Sequence, residues 1–399
     1  MMDTKRNVIF LFFLAILLSV AGCAELTLTP SHEAAKSPSH GIGGLLEPIR
    51  QRYDLPAMAA TVIVDGRTIV WDAMGVRKAG SEVKVTPNDK FHIGSCTKAM
   101  TATLIAMLVE QGKLQWDITL SSALPDMADE MHPDYLNVTL RHLLAHRGGL
   151  PSKHQNWPEG KSFEDMHNLD GSAMEQRLTY ARMILREEPE ARPGTTYIYS
   201  NAGYSIAGVI AEQTMKEPWE SLMRTMLFEP LGMSTAGFGA MGTPGRIDEP
   251  WQHMIKDDEL VAVEPGRLSD NPPVLGPSGA VHCSIRDWAK FVIEHLKGSR
   301  GVGDLLKGET FELLHTPGFG GDYASGWVAT ERDWGEGKVL THTGTNNMNF
   351  AVVWMAPKRS FAVLVASNQG GGDVATACDE ACRILIKEFL LNEAGSKGR

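Results

Sequence analysis

Ser95 and Lys98 stand three residues apart at the head of an apolar run, a spacing that can activate a hydroxyl. Side chains three apart on a helix share one face and come within hydrogen-bond reach. After Lys98 the run carries no charge until Glu110, and it closes on Gly112, a residue suited to ending a helix. A helix that is apolar all round is buried, and burial lowers the pKa of a lysine. A neutral Lys98 amine beside Ser95 would be an activated nucleophile pair. The bland reading of the same two residues is a capping serine with a snorkelling lysine. A second Ser-x-x-Lys, Ser81 to Lys84, lies in a stretch that reads as turn or strand, where residues three apart face opposite ways.

Tyr199-Ser200-Asn201 offers a phenol and an amide. Asn201 is placed to cap the helix expected over 202–215, which leaves Tyr199 on the preceding loop. A tyrosine near a lysine ammonium has its phenolate favoured and can relay protons. Packed aromatic is the plain alternative, and Tyr135-Leu136-Asn137 repeats the pattern elsewhere. His342-Thr343-Gly344 ends an expected strand. As an edge strand it can lie along an extended acyl substrate, with glycine permitting close approach. The backbone N–H groups of Ser95 and Thr345 can then form an oxyanion hole.

These groups need elements to hold them. Residues 58–77 read as two β-branched runs around Asp65-Gly66, a hairpin signal. Residues 114–292 read mainly as helices joined by long loops, for example 139–146 and 202–215. Strands return at 324–328, 339–344, 350–355 and 361–367, the last two linked through Pro357-Lys358, before a final helix over 375–391. The expectation is an α+β fold (an α/β sandwich). Both chain ends form one antiparallel sheet flanked by helices, and a mainly helical subdomain is inserted. The sheet subdomain falls at about 44–115 and 293–392 and the helical one at about 116–292, forming a single catalytic unit over 44–392 with a tail at 393–399.

In this order the motifs resemble the serine β-lactamase-like and penicillin-binding-protein-like hydrolases: class C β-lactamases, DD-peptidases, D-aminopeptidases and family VIII carboxylesterases. The resemblance covers roughly 45–391 and includes Leu143-Leu-Ala-His146-Arg-Gly-Gly-Leu-Pro151, Phe228-Glu-Pro-Leu-Gly-Met233, Gly279-Ala-Val-His-Cys-Ser284, Tyr323-Ala-Ser-Gly-Trp327 and Leu364-Val-Ala-Ser-Asn368. It implies Ser95 as acylated nucleophile, Lys98 as proton acceptor and Tyr199 as relay. Asn201 would face the substrate's carbonyl side, while His342, Thr343 and Gly344 would line the acyl and carboxylate site. No cofactor is implied. β-Lactamases of this type usually carry lysine where His342 stands. Histidine, with an ordinary pKa near ~6.5, is mostly neutral at pH 7. The expected substrates are therefore small esters, amides or D-amino-acid peptides, with slow β-lactam turnover at best. The alternative is an envelope protein that keeps the pocket and has little turnover.

Other assignments fail on order or context. Ser269-Asp270-Asn271 and Glu388-Phe-Leu-Leu-Asn392 spell class A β-lactamase motifs, but the glutamate follows the Thr-Gly strand instead of preceding it. Gly203-Tyr-Ser205-Ile-Ala207 is a degraded nucleophile elbow inside a helix. His142 and His146 have zinc-ligand spacing, yet Leu143 stands where the general-base glutamate belongs, and packed histidines are the simpler reading.

The 399 residues carry a formal net charge of −10 and no basic cluster beyond the extreme N-terminus, which argues against a nucleic-acid partner. Lys5 and Arg6 precede the apolar run 8–20 and then Val20-Ala21-Gly22-Cys23. That is a secretory signal, too short for a membrane span of roughly 20 residues. Its end looks like a bacterial lipobox with Cys23 as the lipidated residue. Residues 24–43 read as a tether. Export to the cell envelope and a lipid contact with the membrane are the expectation. Cys378 and Cys382 lie one helical turn apart, a poor disulfide geometry, so free buried thiols are expected.

Overall fold

The computed structural model describes residues 41–152 and 157–392. Residues 1–40, on which the expected signal segment, Cys23 and most of the expected tether fall, and the tail 393–399 lie outside the described residues.

Helix α1 (Gly43–Arg52) leads into strand β1 (Ala57–Val64), and Asp65-Gly66 turns the chain back along β2 (Arg67–Gly75). Both turn residues take positive φ, 50° and 71°, as a two-residue hairpin turn with the sheet's own twist requires. Then come α2 (Thr97–Glu110), α3 (Ala173–Arg186), α4 (Asn201–Met215) and α5 (Ile285–Gly298), with shorter helices between them. The chain next builds β3 (Tyr323–Ala324), β4 (Trp327–Arg332), β5 (Gly337–Thr345), β6 (Phe350–Ala356) and β7 (Phe361–Ser367). It closes with α6 (Val374–Ile386). The sheet order is β2-β1-β7-β6-β5-β4-β3, antiparallel throughout. β1 pairs with β7 from Met58 opposite Ser367 to Val64 opposite Phe361, so the two ends of the chain share one sheet.

The two faces of that sheet explain its apolar sequence. Phe361, Val363 and Val365 join Met58, Ala60 and Val62 against Leu46 and Ile49 of α1 and Ala377, Ala381 and Leu385 of α6. Ala362, Leu364 and Ala366 join Ala57, Ala59 and Ile63 in the larger core with Leu104 of α2 and Phe291 and Val292 of α5. Strands covered on both faces lose the polar alternation of a half-exposed strand. Helix α2 runs through the interior with 11 of its 14 residues buried, and it carries Lys98 in with it. α4 is held to α3 by Arg177, whose guanidinium donates to Glu212 at 2.6 Å and to Glu220 at 2.7 Å.

Three expectations need correction. The single strand foreseen over 324–328 is two strand ends, Ala324 of β3 and Trp327-Val328 of β4, with a turn at Ser325-Gly326 between them. Gly326 sits there at φ +83°, and a Cβ on it would lie 2.5 Å from Ala99 Cα. The turn is pressed onto α2 beside Lys98, and only glycine fits. β5 is not an edge strand, since it lies between β4 and β6. Its pairing with β4 runs only from Thr341 back to Gly337, so Thr343, Gly344 and Thr345 overhang the end of β4. Finally, the region read as helices contains a hairpin, Gln252–Lys256 with Glu259–Val263. Its turn uses Asp257 and Asp258 at φ 51° and 63° in place of glycine. The four described cysteines, Cys96, Cys283, Cys378 and Cys382, are buried free thiols.

Candidate active site

Ser95 lies on the tight turn Gly94–Cys96 that feeds α2, and Lys98 lies in the first turn of α2. The Lys98 side chain is fully buried. Its Nζ is 3.0 Å from Ser95 Oγ, 2.6 Å from Asn201 Oδ1 and 2.8 Å from the carbonyl oxygen of Ser278. Burial drives the Lys98 pKa well below 10.5. A neutral amine has two N–H bonds and one lone pair. Asn201 Oδ1 and the Ser278 carbonyl can only accept, so they take the two protons and leave the lone pair for the Ser95 O–H. The amine is therefore set up as a base towards one hydroxyl.

Tyr199 reaches the same oxygen, its phenol donating to Ser95 Oγ at 2.8 Å. Here the sequence argument needs revision. Burial raises the Tyr199 pKa, against a smaller lowering by the Ser95 hydrogen bond. Burial also disfavours the Lys98 ammonium that would favour a phenolate, so the phenol is set as a donor. Asn201 also differs from expectation. Ser200 occupies the cap position of α4 and makes no side-chain cap. Asn201 is instead the first residue of α4, with its carbonyl oxygen on Lys98.

His342 is buried, with Nδ1 2.6 Å from the Thr343 carbonyl and Nε2 3.1 Å from the Tyr323 hydroxyl. Nδ1 must carry the proton to meet a carbonyl, so Nε2 accepts from Tyr323. Burial first, then Lys98, pushes the His342 pKa down to about 4. The ring is neutral and both nitrogens are occupied. The overhanging end of β5 meets the nucleophile turn backbone to backbone. A Cβ on Gly344 would be 2.7 Å from Ser95 N, and one on Gly94 would be 2.7 Å from the carbonyl carbon of Gly344. The backbones of Ser95 and Thr345 are therefore brought side by side.

A cavity of about 510 Å³ opens beside them, lined by Ser95, Tyr199, Asn201, His342, Thr343, Gly344 and Thr345. Trp157, Phe163, Tyr197 and Tyr323 give it an aromatic wall, and Asn271, Asn346 and Asn347 an amide wall. No charged side chain lines it among the described residues. The alternatives lie elsewhere. Ser81 Oγ donates to the Lys78 carbonyl, Ser205 is inside α4, and Tyr135 is packed in the core. The helix holding His142 ends at Leu144, and His146 follows in a left-handed conformation, so the two rings do not share a helix face.

A β-lactamase family profile matches residues 43–383. The chain belongs to the β-lactamase family. Among its relatives, Protein flp of Staphylococcus aureus (strain COL) is 21% identical over 329 residues, 82% of this chain and 62% of that protein. Unguisins hydrolase ungD' of Aspergillus campestris is 27% identical over 330 residues, 79% of this chain and 59% of that one. The chain thus spans about three-fifths of the length of these relatives. Among solved structures, the octameric penicillin-binding protein homologue from Pyrococcus abyssi superposes with a TM-score of 0.70 at 23% identity, covering 88% of this chain and 78% of that one. The penicillin binding protein from Bacillus halodurans gives 0.69 at 22%, covering 85% and 99%. The shared fold is the mixed α and β one described above.

Sequence reasoning missed several residues of this β-lactamase-family site. The Ser278 carbonyl is one, because a main-chain acceptor has no sequence signature. Asn271 is another: the Ser269-Asp270-Asn271 spelling was set aside on chain order, yet Asn271 stands in the cavity wall. Asp270 Oδ1 lies 2.7 Å from His92 Nε2, and His92 Nδ1 accepts the Gly94 N–H at 3.1 Å. That segment therefore buttresses the nucleophile turn.

Proposed function

We propose that this chain is a serine hydrolase that turns over neutral esters and amides, D-amino-acid amides among them, through an acyl-enzyme on Ser95. One observation carries the reading: an amine and a phenol both reach one hydroxyl, at 3.0 and 2.8 Å, at the floor of a cavity whose described lining residues carry no charge. Lys98 Nζ takes the Ser95 proton as Oγ attacks the substrate carbonyl carbon. The resulting oxyanion is held by the N–H groups of Ser95 and Thr345. The leaving group departs with the Tyr199 proton, and the Lys98 ammonium restores the phenol. Water then attacks the acyl carbon and returns its proton to Ser95 Oγ through the same pair, releasing the acid. Thr343 and Gly344, beyond the end of β4, border the place of the acyl portion, and Asn201 stands on the carbonyl side. Neutral His342 provides no anchor for a carboxylate.

The test is a panel of nitrophenyl esters, D-alanyl peptides and nitrocefin on wild type and Ser95→Ala. Neutral esters and amides should give the highest kcat/KM, with Ser95→Ala at background. Efficient nitrocefin hydrolysis would overturn the reading of His342. Stable penicillin labelling without turnover of anything in the panel would favour a penicillin-binding-like envelope protein.

We also propose that the chain is exported and held at the cell envelope by a lipid on Cys23, on the support of the Val20-Ala21-Gly22-Cys23 sequence. A labelled fatty acid fed to expressing bacteria should mark the wild type in the membrane fraction and leave Cys23→Ser unmarked. Equal labelling of both would sink the proposal.

A further inference from the structure

His146 belongs to the segment 143–151, which the mechanism above leaves without a task. It is 2% exposed and sits behind Tyr199. Its main-chain carbonyl accepts the Ile198 N–H at 2.9 Å, and its ring Nδ1 accepts the Ser200 N–H at 3.2 Å. The two amides that flank Tyr199 are therefore both bound by one residue. The imidazole also lies 4.3 Å, centroid to centroid, from the Tyr199 ring, and 4.5 Å from that of Tyr323. Main chain on both sides and ring on ring, Tyr199 is held at three points.

Two further features show that this placement is maintained against local preference. His146 has φ +55°, a left-handed conformation uncommon outside glycine. Its Nε2 is buried without a hydrogen-bond partner among the described residues. Because Nδ1 accepts an amide proton, the ring proton must sit on that unpartnered Nε2. Burial, then the neighbouring Lys98 and His342, hold the His146 pKa well below 6.5. A protonated ring would turn an N–H towards the Ser200 N–H, donor against donor, so the clamp requires the neutral form. Strain and an unsatisfied donor retained together at one residue mark a position that the rest of the structure over-determines.

We propose that His146 is the positioning residue for Tyr199: it sets the phenol on Ser95 Oγ and acts on the reaction only through that phenol. This rests on the acyl-enzyme reading above. Displacing a reacting group by about 1 Å costs on the order of 10²-fold, which sets the scale of the expected effect.

The variants separate the parts of the clamp. His146→Gly accepts the backbone conformation and deletes acceptor and ring. His146→Asn tolerates the same conformation and keeps a short side-chain acceptor. With a nitrophenyl ester, His146→Gly should lower kcat by about 30- to 100-fold with KM nearly unchanged, and His146→Asn should recover most of that loss. In a Tyr199→Phe background, where no phenol is left to position, His146→Gly should cost less than about twofold more, because residues that act as a unit are not additive. Equal losses in both backgrounds, with a matching fall in Tm, would reduce His146 to a packing role and overturn the proposal. A crystal structure of His146→Gly adds a readout independent of turnover. The phenol oxygen should have left hydrogen-bond distance of Ser95 Oγ, and an unmoved phenol overturns the clamp. Fluorophosphonate labelling of wild-type Ser95 tests the underlying reading separately. An unlabelled Ser95 would overturn the acyl-enzyme, whereas a labelled one with an unaffected His146→Gly would overturn only the clamp.

Discussion

Lys98→Arg should lower kcat/KM for a neutral ester by about 10³-fold, inside the range of about 10²–10⁴ for loss of a general acid–base group. The substitution puts a permanent cation in place of the amine and removes the base. A guanidinium stays protonated, its pKa above about 12, so it has no lone pair for the Ser95 proton. Lys98 can be neutral because it is wholly buried and its three polar neighbours are a hydroxyl, an amide oxygen and a main-chain carbonyl, none of them a carboxylate. The same fact sets the sign of the pH dependence. The amine is active when deprotonated, so wild-type kcat/KM holds at high pH and is lost as pH falls through the Lys98 pKa, which burial has moved well below 10.5. Lys98→Arg should flatten that profile as well as lower it. If the arginine variant stays within about tenfold of wild type, Lys98 acts as a fixed charge and the proton path belongs to another group. Thermal unfolding of both proteins distinguishes this from a folding defect.

What could be read from the chain without a structure divides along a physical line. The nucleophile helix, the Asp65-Gly66 hairpin and strand β7 each announce themselves within a dozen residues. One is an uncharged run, one is a turn pair between β-branched stretches, and one is an apolar segment long enough for a strand and too short for a helix. The residues that share the pocket with Ser95 come from far along the chain, and local pattern does not record who meets whom. Asn201 looked like a helix cap because its neighbours fit one. Its partner, Lys98, is 103 positions away. Tyr199 looked like a phenolate on the general rule that a lysine ammonium favours one, which sits badly with the burial that the apolar run already implies for Lys98. Burial, a property of the assembled core, favours the neutral form of both groups. Gly326 was hidden inside an apparent strand because what excludes a side chain there is the backbone of α2, not anything adjacent in sequence. The hairpin at 252–263 turns on two aspartates, which spell a left-handed turn less clearly than Asn-Gly or Asp-Gly would.

Gly344→Ala should abolish most activity in a protein that still folds: a fall of about 10²- to 10³-fold in kcat/KM, the size of losing one oxyanion-hole donor. The added Cβ would stand 2.7 Å from Ser95 N and 2.9 Å from Cys96 N, and closer still to the Ile93 carbonyl oxygen. All three are main-chain atoms of the turn that presents the nucleophile, so no side chain can swing aside. Either β5 backs away or the turn does, and each movement separates the N–H of Thr345 from that of Ser95. The opposite face of the contact offers an internal check. Gly94 sits at φ +50°, and a Cβ there would be 2.7 Å from the carbonyl carbon of Gly344 and 2.9 Å from that of Thr345. Gly94→Ala should thus produce a loss of the same order, and the double variant should lose little beyond either single one, because both open the same gap. The overpacking cost to stability, about 1–3 kcal/mol, is read from Tm, and rates are measured well below it. Fluorophosphonate labelling should slow in step with turnover, since it needs the same pair of N–H groups. A folded Gly344→Ala that hydrolyses ester within about tenfold of wild type would mean that the Ser95–Thr345 pair is not where the oxyanion forms.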